Sequence, residues 1–145
     1  MLCYHLFNFH QMRLKTEYYW FSIFAICFIG YQQIQDNIRP HSIGYNSTIK
    51  YLLGVAPNFF PAIGIPALVV LVIPYTLKKN NSGTWFHEKI HLTANLISVI
   101  GLIGWEFIQL AGKLRFDWND ILWTLIGALL FHLIWIISPQ KYKES

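Results

Sequence analysis

Apolar residues in this chain are gathered into four long runs separated by short polar connections. The runs cover about 18–34, 52–77, 90–111 and 121–137. Each approaches the ~20 residues that span ~30 Å of hydrocarbon at ~1.5 Å per residue. By this long-apolar-run criterion they predict four helices. The first run is the weakest. Its fully apolar part, from Trp20 to Gly30, is short, and Gln32 and Gln33 follow it. Tyr18, Tyr19, Trp20 and Tyr31 flank that part, as aromatic residues do at a membrane–water boundary. The second run holds Pro57, Pro61, Pro66 and Pro74, with Gly54 and Gly64 between them. So many prolines predict a kinked helix, or one that starts late, around Pro57 to Pro61.

Composition agrees with this pattern. Of the 145 residues 54% are hydrophobic and only 12% charged, and the mean hydropathy is +0.38. A soluble domain carries about twice that charged fraction. The length allows one domain, 1–145, with no internal repeat or low-complexity tract. The expected class is therefore all-α, an integral membrane four-helix bundle. Arg13 and Lys15 before the first run imitate the start of a signal peptide. No small-x-small cleavage site follows, which predicts a retained helix. Cys3 and Cys27 form no metal motif, and no cofactor motif is present.

The net charge of +4 would suggest nucleic acid in a soluble protein. Here the basic residues sit between apolar runs, where they set orientation, and no nucleic-acid partner is expected. Arg13, Lys15, Lys78, Lys79, Lys89, Lys141 and Lys143 fall on one side; Arg39, Lys50, Lys113 and Arg115 fall on the other. The excess of positive charge places both termini and the Lys78–Lys89 connection in the cytoplasm. The Gln35–Lys50 and Gly112–Asn119 connections then face outward.

The third run carries the most chemistry. At about 100° per residue, with Asn95 at zero, His91 falls near −40°, Ser98 near −60°, Glu106 near +20° and Gln109 near −40°. Five polar residues thus share one stripe, and the opposite side is Leu, Ile, Val, Phe and Trp. Such a stripe faces protein or water, and an ionisable residue within it is a functional candidate. At the start of the fourth run, Asp117 or Asn119 is placed to cap the helix and Asp120 to favour its dipole. Thr124 and Gly127 share a face with Asp120, and Gly127 would let a neighbouring helix approach closely. His132 lies about 120° away from that face and reads as a packed side chain. Topology then brings Asn58, Glu106, Gln109, Arg115, Asp117, Asp120 and Thr124 to one membrane level.

The stretch from Gly104 to Gly127, GWEFIQLAGKLRFDWNDILWTLIG, resembles the signature of the VanZ-like family of small bacterial membrane proteins. The matching positions are Glu106, Gln109, Arg115, Asp117, Asp120 and Gly127. The stretch from Asn58 to Gly64 resembles the family's Asn–Phe–Pro–Gly segment with closer spacing. Thr124 stands where members commonly carry Asn, and Phe131 where a second Gly often occurs. The resemblance covers roughly the last ninety residues. It implies a multi-pass protein of the bacterial cytoplasmic membrane, associated with the cell envelope and with glycopeptide resistance.

Three functions fit the residues. In the first, the polar cluster binds an amphiphilic, lipid-linked envelope molecule or a glycopeptide. Arg115 would contact phosphate or carboxylate, and Glu106 and Gln109 would shape the pocket. In the second, the cluster is interhelical glue in an accessory subunit of a membrane complex. In the third, Glu106, Asp117 and Asp120 serve a divalent cation or general acid–base chemistry. No Ser-His-Asp or zinc-ligand spacing supports that third function.

Overall fold

The computed structural model describes residues 2–77, 89–112 and 116–138. Among them the regular structure is all helical, without strands, and holds four α-helices: α1 (Leu2–Gln32), α2 (Ser47–Leu77), α3 (Ile90–Ala111) and α4 (Trp118–Ile137). Three are long and apolar enough to cross a membrane, over Ser47–Ile73, Ile90–Gln109 and Trp118–Ile137. α1 is as long as α2 but is not among them. Arg13, Lys15 and Glu17 on one side and Gln32 on the other shorten its apolar stretch.

The helix bounds correct the sequence expectation in three places. α1 begins well before residue 18. α2 begins at Ser47, not at 52 or at the prolines, and runs as one helix through Pro57, Pro61, Pro66 and Pro74. Each of these prolines removes one N–H, so the carbonyls of Leu53, Pro57, Ala62 and Val70 lose their usual intrahelical donor. α2 lies at the centre of the molecule, packed against each of the other three helices. Tertiary packing on three sides overrides the local cost of its prolines. α4 begins at Trp118 rather than 121, with Asp117 as its N-cap.

A fourth correction concerns the connection expected over Gln35–Lys50. Its first part is helical. A π-helical turn, Gln33–Ile38, continues α1, and a 3-10 turn, Arg39–Gly44, follows. Pro40 explains the change of winding. It has no N–H, and its ring would collide with the carbonyl four residues back in a regular helix. Side chains spaced four apart hold the segment. Asn37 Nδ2 donates to Gln33 Oε1 at 2.8 Å, and Arg39 Nη1 donates to Gln35 Oε1 at 3.1 Å. The chain becomes extended only at Tyr45.

The helices are packed most closely at one end. Trp20, Ala67, Val70, Ile90, Ala94, Phe131 and Trp135 form a buried cluster to which every helix contributes. Trp20 stacks on Trp135 with ring centroids 5.3 Å apart and meets Phe131 at 5.7 Å. His91 lies against Trp135 at 4.7 Å with an interplanar angle of 15°. Near mid-height α4 presses onto α2. A Cβ added at Gly127 would stand 2.7 Å from Ala62 Cβ and 2.8 Å from the Phe59 carbonyl oxygen. The close approach expected of Gly127 is therefore made, and α2 is the partner.

Candidate functional site

The opposite end of the bundle is open. A cavity of about 1000 Å³ lies among the end of α1 with its 3-10 extension, the first half of α2, the last turns of α3 and the start of α4. Asn58, Glu106, Gln109, Asp117 and Asp120 all line it. Alternating helix direction accounts for this meeting. The start of α2 and α4 and the end of α1 and α3 share one level, as the order of the runs implies.

Glu106 is the central group. It is 2% exposed, and Gln109 Nε2 donates to its Oε1 at 3.1 Å one turn further along α3. Its Oε2 is buried without a hydrogen-bond partner. A buried carboxylate oxygen left without a donor costs on the order of 1–3 kcal/mol. Asn95 Oδ1, Ser98 Oγ and His132 Nδ1 are also buried without a partner, but of these groups Glu106 alone lines the cavity. Asn58 lies between Glu106 and Asp120, close enough for its amide to interact with both carboxyls. Asp120 and Asp117 both act on Glu106 as like charges.

The remaining predicted residues divide. Asp117 lines the cavity and also caps α4; its carboxylate accepts the Asn119 backbone N–H at 2.9 Å and the Asn119 side-chain amide at 2.8 Å. Thr124 is buried, but its hydroxyl donates to the Asp120 carbonyl at 2.8 Å, and it does not line the cavity. Arg115 lies outside the described residues.

Sequence reasoning missed the cavity's cation. Arg39 lines the wall and acts electrostatically on Asp120. The sequence pattern presents it only as an orienting charge in a connection. The signal was the polar series Gln33, Gln35, Asn37, Arg39 and His41, whose i,i+4 pairs fit a continuing helix. Tyr31, Tyr51, Trp105 and Phe116 were also missed as wall residues. Tyr51 ties α2 to α4. Trp123 Nε1 donates to its hydroxyl at 3.0 Å, and that hydroxyl donates to Asn119 Oδ1 at 3.3 Å.

The polar stripe of α3 points inward along its whole length. Ser98 and Glu106 are buried, while Leu96, Ile100, Trp105 and Ile108 on other faces are exposed. Asn95 Nδ2 donates to the Ala128 carbonyl of α4 at 3.0 Å. His91 and His132 meet at the packed end, 5.6 Å between ring centroids, away from the cavity. Among the described residues, no group of three or more His, Cys, Asp or Glu is disposed to hold a metal ion.

No family model matches the chain, and no curated protein or solved structure matches it.

Proposed function

We propose that this chain is a four-helix protein of the bacterial cytoplasmic membrane, VanZ-like in kind. On this reading it binds the polar part of an amphiphilic envelope molecule, a lipid-linked precursor or a glycopeptide, in the cavity around Glu106. The cavity opens outward, the side to which the distribution of Lys and Arg assigns it. The carrying observation is the buried, unpartnered Oε2 of Glu106 on the wall of a cavity large enough for a ligand. Pockets of roughly 300–1,000 Å³ with a few convergent polar groups are the usual size of small-molecule sites. Arg39 supplies an anion contact, in place of or beside Arg115. Three carboxylates supply the complementary one.

A second reading keeps the cluster as interhelical glue in an accessory subunit. It draws on Asn58, which reaches from α2 to both Glu106 and Asp120. The two readings part at Glu106→Gln, which keeps shape and hydrogen-bonding capacity but removes the charge. Expression in a drug-sensitive Gram-positive host, with growth inhibition by glycopeptides and lipoglycopeptides as the readout, tests them. Protection that Glu106→Gln, Arg39→Ala and Arg115→Ala abolish at matched membrane levels supports the binding reading. Protection that all three retain favours glue.

A further inference from the structure

A second, smaller cavity of about 210 Å³ lies between α1 and α2, one turn further along the bundle from the polar cavity. The buried Cys27 and Gly64 line it together with Phe24 and Phe60, and the exposed Phe28 and Ile65 border it. It meets the polar cavity at Tyr31 and Pro61, which line both. Two small residues make this slot. A Cβ at Gly64 would stand 3.0 Å from Cys27 Cβ, and one at Gly30 would stand 3.0 Å from the Phe60 ring. Larger side chains at either position would displace its walls.

We infer that the two cavities form one site for a single-chain amphiphile, with the acyl chain in the slot and a zwitterionic, ammonium-bearing headgroup in the polar cavity. The inference rests on the binding reading above and specifies its ligand class. Tyr31 and Pro61 line both cavities, so the two spaces lie side by side within reach of one molecule. The slot's volume holds about seven groups of roughly 30 Å³ each, enough for part of one chain. Its walls offer an acyl chain nothing to hydrogen-bond. In the polar cavity the described residues supply three carboxylates, Glu106, Asp117 and Asp120, against one cation, Arg39. Such a wall favours a headgroup that carries a cation. An ammonium placed at the open Oε2 of Glu106 gains a charge-assisted hydrogen bond, and a phosphate a few ångströms away meets Arg39.

The test uses the full chain in detergent, in a Cys3→Ser background, so that Cys27 is the remaining thiol. The probes are lysophosphatidylethanolamine and lysophosphatidylglycerol of equal chain length. Binding is read by native mass spectrometry, and slot occupancy by the rate of Cys27 alkylation with N-ethylmaleimide. The expected result is a preference for the ethanolamine lipid of about tenfold or more, the size of one charge-assisted hydrogen bond. The same lipid should slow Cys27 alkylation selectively. Glu106→Gln should erase the preference, and Ile65→Trp, which fills the slot from its exposed border, should weaken binding of the lipid.

The failures are separable. If the headgroup preference and its loss in Glu106→Gln appear while Cys27 reacts equally fast with either lipid, the slot is not used. The binding reading then survives and this inference falls. If both lipids bind and protect Cys27 alike, the slot holds only bulk lipid, and the inference falls. If neither headgroup nor Glu106→Gln matters, the binding reading falls with it. Should Ile65→Trp not accumulate, Cys27 protection in the unsubstituted slot decides the matter.

Discussion

The two ends of this bundle are built from the same four helices but solve opposite problems. At the packed end, Trp20, Phe131, Trp135 and His91 fill the space between helices with stacked rings. At the open end, about 1000 Å³ stays unfilled and a carboxylate oxygen is buried without a donor. Interiors normally close such voids and satisfy such groups. The contrast in filling gives one end cohesion and leaves the other open for the binding proposed above. A protein can keep an unsatisfied site when the rest of its structure holds the helices in place.

The largest stability effect is therefore expected at the packed end. Trp20 is 1% exposed and touches three other rings, those of Tyr19, Phe131 and Trp135. Trp20→Ala should lower stability by about 3 kcal/mol, near the lower end for deleting a large buried aromatic residue. Thermal unfolding in detergent, followed by circular dichroism, measures it. A loss no larger than that from an exposed residue such as Ile137→Ala would break the comparison. Between the ends, Gly127→Ala should cost about 2 kcal/mol, because the new methyl meets a backbone oxygen that cannot rotate away. A disulfide engineered between α2 and α4 below that contact should report the same separation as a shift in cross-linking yield.

Smaller effects belong to the open end. Asp117→Ala removes the cap of α4 and should cost about 1 kcal/mol, and Asp117→Ser should recover most of it. If Ser recovers stability but not ligand binding, the carboxylate has a role in the cavity beyond capping. Asn95→Val breaks the link from α3 to the Ala128 carbonyl and should cost about 0.6 kcal/mol, the average for an interhelical hydrogen bond in a membrane protein.

How much of this was legible follows from what helical periodicity reports. The extent of α3, Ile90–Ala111, and its inward polar stripe could both be read, because a 3.6-residue period fixes which side chains share a face. The shared level of Asn58, Glu106, Gln109, Asp117 and Asp120 followed from alternating helix direction. The long α2 could not be read. Proline chemistry argued for a late start, and only packing on three sides carries the helix back to Ser47. Arg39 was hidden because a π-helical turn and a 3-10 turn break the period that would have joined it to α1. The stacking of His91 on Trp135 was hidden for another reason. It joins separate helices, and a single helix's period says nothing of a neighbour's rotation.

A small expected stability effect, at Glu106, most sharply divides the two ends. Glu106→Gln keeps the side chain's size and leaves an acceptor for Gln109, whose amide lies 3.1 Å from the present carboxylate. It removes one of three carboxylates that act on one another across the cavity. Relief of that repulsion and of the buried charge offsets whatever the Asn58 interaction contributed, so stability should move by less than about 1 kcal/mol. Ligand binding should fall by about tenfold or more, since the lost group is the open charged acceptor. At the packed end the ratio reverses: Trp20→Ala should unfold readily yet, at temperatures where it stays folded, bind as the parent chain does. Measuring both variants for both properties gives four numbers. If Glu106→Gln proves strongly destabilising while binding stays intact, the carboxylate is part of what holds the helices together, and the open end is structural like the packed one.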